Sequence, residues 1–139
     1  MLTDICHISI MEICGRIQRD FLQGMVKVFI LHQASLGLIY GNKLSKTLRS
    51  LGYLISPGSL YHMLHTMDKS GLLHSRIRVS KGRLRKYYEL TEQGRLCLAE
   101  LRQSLAELVK TVILAPLPEF SSKPLNSLST NHKLPINAG

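Results

Sequence analysis

Tryptophan is absent from this 139-residue chain, aromatic residues make up only 6% of it, and 9 acidic residues face 18 lysines and arginines. The cysteines are equally sparse: Cys6, Cys14 and Cys97, an odd number without CxxC spacing. Such a set offers no disulfide framework and no zinc-ribbon pattern, and it fits a reducing cytoplasm. No uninterrupted apolar run approaches the ~18 to 20 residues needed to span a bilayer. The apolar N-terminus is broken by Asp4, His7 and Glu12 and lacks a preceding basic segment, which argues against a signal peptide. Catalysis has nothing to stand on: there is no glycine-rich phosphate loop, no recognisable carboxylate pair and no nucleophile with an evident base. The expectation is a cytoplasmic, non-enzymatic protein with no cofactor, no metal and no membrane partner.

What the chain does have is positive charge. Its formal net charge is +9 and its pI is near 9.8, which favours a polyanionic partner, nucleic acid or an anionic surface. With 45% hydrophobic residues, the chain is long enough to bury a core as a single domain without staples.

The pattern along the chain is mainly helical. Ile10, Ile13 and Ile17 fall on one helical face, and Met25, Val28, Phe29 and His32 continue the spacing from Phe21 to Leu36, as one bent helix or two short ones. Gly24 either weakens that stretch or permits a close backbone approach. Leu44, Leu48 and Leu51 mark a helix of about 41–50 that ends at Gly52 and carries Lys43, Lys46 and Arg49 outside. The next helix is punctuated by Ser56 as N-cap, Pro57 in the first turn and Gly71 after the last. Leu60, Met63, Leu64 and Met67 form its core face, leaving Ser59, Tyr61, His62, His65 and Lys69 on or near the outer side.

After Gly71 the period changes to two. Leu73, Ile77 and Val79 alternate with His74, Arg76 and Arg78, Ser80–Arg83 makes a tight connection, and Leu84–Leu90 returns. Tyr88 and Leu90 share the inward face of this second strand, leaving Tyr87 outside. Thr91 caps a last helix of about 92–114. Its Leu98, Leu101, Leu105, Leu108 and Val112 step by three and four, the spacing of a two-chain seam. Four of the five prolines lie in 116–139, which reads as a flexible tail. The organisation expected is an N-terminal helical extension (1–20), a DNA-binding domain (21–91), a dimerisation helix (92–115) and the tail (116–139). The fold class is mainly α with a small β-hairpin wing: a winged helix-turn-helix flanked by N- and C-terminal dimerisation helices.

Phe21-Leu22-Gln23-Gly24, Tyr40-Gly41, Ser56-Pro57-Gly58-Ser59-Leu60-Tyr61, Gly71-Leu72-Leu73 and Arg85-Lys86-Tyr87-Tyr88-Glu89-Leu90-Thr91-Glu92-Gln93-Gly94 give the chain a further resemblance. From about residue 21 to 110 it is similar to the PadR-like transcriptional regulators, in particular the smaller members with a short C-terminal helix. The family pattern often has Pro where this chain has His62. The resemblance implies a homodimer, usually a repressor, that binds an inverted repeat near its target promoter.

The residues support DNA contact independently. A helix lying in the major groove reads base edges through its N-terminal and outward side chains, the places of Ser56, Ser59, Tyr61, His62, His65 and Lys69. Tyr61 reads either as a phosphate contact or as an aromatic at the core edge. Arg76, Arg78, Lys81, Arg83, Arg85 and Lys86 crowd eleven residues without an acid, enough to displace counterions from a duplex; Lys81, Arg83 and Arg85 lie nearest the tip. His62 and His65 lack a third metal ligand. Cys6, His7 and Cys14 read as small side chains buried on an amphipathic helix, with a metal- or redox-responsive regulator as the rival. A second rival is a winged-helix module that binds protein. A small-molecule effector would sit between the N- and C-terminal helices at the dimer interface.

Overall fold

The computed structural model describes residues 10–117, and the chain divides into two compact units, 1–104 and 105–139. In the first unit the described elements are α1 (Ile10–Leu36), α2 (Gly41–Ser50), α3 (Pro57–Lys69), β1 (Leu73–Ser80), β2 (Arg83–Leu90) and the greater part of α4 (Glu92–Val109).

The apolar spacing before residue 36 produces one helix of 27 residues. Gly24 neither breaks it nor admits a neighbour, because open space surrounds the position of its missing Cβ. The two halves of α1 differ in burial. Val26, Ile30, Leu31 and Ala34 are buried, whereas Ile10, Ile13, Ile17 and Phe21 are exposed. The buried half packs on the apolar faces of α2 and α3, where Leu44, Leu48, Leu60 and Leu64 are each at most 2% exposed. Burial of each such side chain contributes about 1.5–3 kcal/mol.

The start of α3 follows its sequence punctuation. The Ser56 hydroxyl accepts the Ser59 amide at 3.2 Å and donates to the Ser59 hydroxyl at 2.8 Å, with Pro57 in the first turn. At the other end Asp68 accepts a 2.6 Å hydrogen bond from Ser75, which ties α3 to β1. The two strands pair antiparallel from Leu73↔Leu90 to Ser80↔Arg83. Lys81 and Gly82 make the turn, with φ of 51° and 75°, the left-handed pair that matches the twist of a two-residue hairpin. Beyond the hairpin itself, Ile39 pairs with Tyr88 through hydrogen bonds of 3.0 and 2.8 Å, adding a short third rung.

Thr91 closes the unit. Its hydroxyl accepts the Gly94 amide at 3.0 Å as N-cap of α4 and faces the carbonyls of Gly71 and Leu72 at 2.5 and 3.0 Å. Gly94 must lack a side chain, since a Cβ there would collide with the Leu72 carbonyl oxygen. Burial, with Asp68 and Tyr61 nearby, raises the Tyr88 phenol above its ordinary pKa.

Three expectations are corrected. Leu98, expected in the dimer seam, is 6% exposed and belongs to the core of its own chain, with Leu101 packed half-buried against that core. The inward alternation of the hairpin holds only near the helices: Leu73 and Tyr88 are buried, but Ile77, Val79 and Leu84 are exposed, because the strands run on past the body that covers their neighbours. Cys14 is exposed rather than buried, and Cys97 is half-buried; Cys6 and His7 lie outside the described residues.

In the second unit α4 ends at Val109 and a π-helical turn, Lys110–Leu114, follows. Leu105 is half-buried while Leu108 and Val112 are 55% and 60% exposed. Most of the expected tail, from residue 118, lies outside the described residues. Among those described, no helix is long and apolar enough to cross a membrane.

Candidate nucleic-acid interface

At 100° per residue, positions 58, 61, 62, 65 and 69 of α3 fall on one side of the helix, opposite the buried Leu60, Met63, Leu64 and Met67. Tyr61, His62, His65 and Lys69 are all exposed there, around the bare backbone of Gly58. Ser56 and Ser59 stand apart from this face. Their hydroxyls serve the N-cap, and both line a cleft of about 180 Å³ toward α1 with Arg19, Gln23 and Met63.

Tyr61 is the core-edge aromatic of its two sequence readings, with an outer surface left open. Its ring lies over Gly41 in the first turn of α2, where an added Cβ would sit 2.9 Å from Tyr61 Cε1 and 3.1 Å from its hydroxyl. The ring nevertheless remains 54% exposed. It is a packing residue on the α2 backbone whose outer surface belongs to the α3 face.

The six wing cations do not form one surface. Register places Arg76, Arg78, Arg83 and Arg85 on one face of the hairpin, Lys86 on the other with Ile77, Val79 and Leu84, and Lys81 at the turn. Arg76 is already engaged by Glu89, at 2.8 Å from Nη2 and 2.9 Å from Nε. Arg85 stacks over Tyr40, 5.1 Å from the ring centroid, and Tyr40 in turn meets Tyr87 edge-on at 5.5 Å. This stack limits the freedom of the guanidinium, so less is lost when it binds. Lys86 lies 5.6 Å from the centre of the Tyr88 ring.

Between the wing and the helices is a cleft of about 260 Å³ lined by Tyr40, Gly41, Asn42, Tyr61, Arg83, Leu84, Arg85 and Lys86. The N-terminus of α2 opens onto it, and Tyr40 at the cap position provides no side-chain hydrogen bond. Free helix amides together with two arginines and a lysine make a site suited to a phosphate oxygen. Sequence reasoning quoted Tyr40-Gly41 as a motif but gave Tyr40, Gly41 and Asn42 no part in the site. The available signal was a helix that begins at glycine without a Ser, Thr, Asp or Asn at the cap. Lys43, Lys46 and Arg49 on the exposed side of α2 extend the positive surface.

His62 and His65 share the exposed face with no third ligand, and among the described residues no group of three metal-ligating side chains comes together.

Comparison with known proteins agrees with this geometry. Residues 30–100 match the model of the transcriptional regulator PadR-like family. A transcriptional regulator of Mycobacterium tuberculosis is 41% identical over 95 residues, spanning 68% of this chain and 89% of the relative. A PadR-like transcriptional regulator from Bacillus cereus superposes with a TM-score of 0.62 at 35% identity, covering 67% of this chain and 92% of that one. A PadR family regulator from Eggerthella lenta superposes with a TM-score of 0.64 at 27% identity, covering 73% and 89% of the two chains. The fold is the winged helix of these proteins, which are regulators of transcription rather than enzymes, and the chain belongs to the PadR-like family.

Proposed function

We propose that this regulator acts in the cytoplasm as a homodimer that represses transcription by occupying an inverted-repeat operator. The observation that carries the reading is the cleft where Tyr61, at the border of the exposed α3 face, the uncapped start of α2, and Arg83, Arg85 and Lys86 of the wing come together. His62, His65 and Lys69 would face base edges and phosphates of the major groove, with Tyr61 at the border. Arg78, Lys81, Arg83 and Arg85 would take phosphates beside it. Ser56 and Ser59 act through the N-cap that orients α3.

Dimerisation would use apolar surface that each copy leaves open: Ile10, Ile13, Ile17 and Phe21 on α1, and Leu105, Leu108 and Val112 beyond the first unit. A two-fold pairing would set the two α3 helices on half-sites about one DNA turn apart. A small-molecule effector would act by changing how the copies pair.

Selection of bound duplexes from random DNA, followed by affinity measurements over a salt series, tests the reading. A palindromic preference and a steep loss of affinity with salt are expected. Binding that ignores both sequence and salt would leave the protein-interaction reading of this surface instead. Leu108→Asp should shift the sedimentation of the protein from dimer to monomer, and an intact dimer would remove that position from the seam.

A further inference from the structure

The overhanging half of the hairpin exposes an apolar cluster that phosphate contacts do not explain. Ile77, Val79 and Leu84 are 69%, 71% and 74% exposed. Val79 pairs with Leu84 one step from the closing pair, and Ile77 occupies the same face. This face continues the one that buries Leu73 and Tyr88, but the covering helices have ended. From Tyr88, the last residue bridged to Ile39, to Arg83 at the turn, the strand extends roughly 17 Å. An unpaired hairpin that displays apolar side chains at its tip invites aggregation unless something else uses it.

The surroundings identify the occupant. No acid occurs between Arg76 and Lys86: Lys86 shares the cluster's face, Lys81 sits at the turn beside it, and Arg78, Arg83 and Arg85 lie on the reverse face of the same two strands. A second copy meeting it across a two-fold axis would bring the same cations together. A duplex would instead supply phosphates along both rims of a groove whose floor is partly apolar. Apolar side chains carried into the minor groove partly unstack a base step and bend the duplex, and pyrimidine–purine steps yield most easily.

We propose that Leu84, Val79 and Ile77 form a wedge that enters the minor groove beside the α3 site and selects operators by deformability at a base step the helix does not touch. The inference rests on the DNA-binding reading above. It gives the wing two separable roles, in which the cations set salt-dependent affinity and the apolar triad sets shape selectivity.

The test is Ile77→Thr/Val79→Thr/Leu84→Thr in the full chain, which preserves strand propensity and every charge. Leu84→Thr alone, at the most exposed of the three positions, keeps the test open if the triple variant melts early. Binding to the selected duplex is measured over a salt series, and bending by the mobility of circularly permuted fragments. The expected result is roughly tenfold weaker binding, a smaller bend, and a salt slope equal to that of the parent. Unchanged affinity and bend, while Arg83→Ala still lowers the slope, would overturn the wedge and leave the DNA-binding surface standing. If Arg83→Ala has no effect either, the DNA-binding reading fails and the wedge with it. If the threonine variants alter the sedimentation of the free protein, the cluster is a protein contact and the inference is overturned.

Discussion

The near and far halves of the hairpin share one ladder and differ in almost everything else. In the near half Leu73 and Tyr88 are 1% and 3% exposed, Ser75 is tied to Asp68, Ile39 adds a rung, and Thr91 closes the base. In the far half the side chains are cationic or exposed and apolar, and the strands rely on each other and a two-residue turn. A continuous ladder between the halves lets the anchored part aim the free part. Folding free energy and the proposed recognition surface therefore lie at opposite ends of the same two strands. Loops carry function in many proteins for the same reason: a surface that contributes little to the core is free to be shaped for a partner.

Breaking the near half should have the largest effect. Tyr88→Ala removes a buried ring from the junction of α3, the hairpin and Ile39, and is expected to cost about 3–5 kcal/mol. Thermal melting should fall by roughly 15 °C or more. Leu84→Ala on the same strand should stay within about 0.5 kcal/mol of the parent; a comparable loss there would show that the far half is not energetically separate. Thr91→Val keeps the shape but loses the cap to Gly94 and the contact with the Gly71 and Leu72 carbonyls. A cost of about 1–2 kcal/mol is expected in urea unfolding, with DNA contacts per folded molecule unchanged.

The same division shows why the sequence was legible in some places and not others. Local chemistry acts within a few residues, so the Ser56 cap, Pro57, the Lys81–Gly82 turn and Thr91 could be read directly, as could the core stripe of α3. Periodicity records which side chains share a face, but not where the covering layer ends. Alternation thus groups Ile77 and Val79 with the buried Leu73, although the helices cover only the first part of that face. The same limitation affected Leu98: a three-four spacing cannot distinguish the chain's own core from a second copy, and packing assigns Leu98 to the former. The cleft was hardest to foresee because Gly41 and Tyr61 are twenty residues apart and meet only when α2 and α3 pack. Gly41 is the visible trace of that approach, with a meaning that depends on the ring lying over it.

The smallest expected effects lie within the far half and test whether its cations are equivalent. Among the described residues no acidic side chain pairs with Arg83, so Arg83→Ala should weaken binding to many duplexes and lower the salt slope by about 1. Arg76 is just over halfway back from the turn toward the body and is held by Glu89, with side-chain exposures of 51% and 35%. Much of its charge is already balanced, and Arg76→Ala should change the slope less than Arg83→Ala does. Glu89→Gln keeps the size of the side chain while removing the negative charge, and should strengthen binding modestly as it releases Arg76 to the phosphates. Because an exposed pair contributes only about 0–1 kcal/mol, this release should leave thermal stability almost unchanged. If Glu89→Gln instead weakens binding, the pair's task is to hold the outer strand in line, and the boundary between the anchoring and the reading halves lies farther out than Arg76.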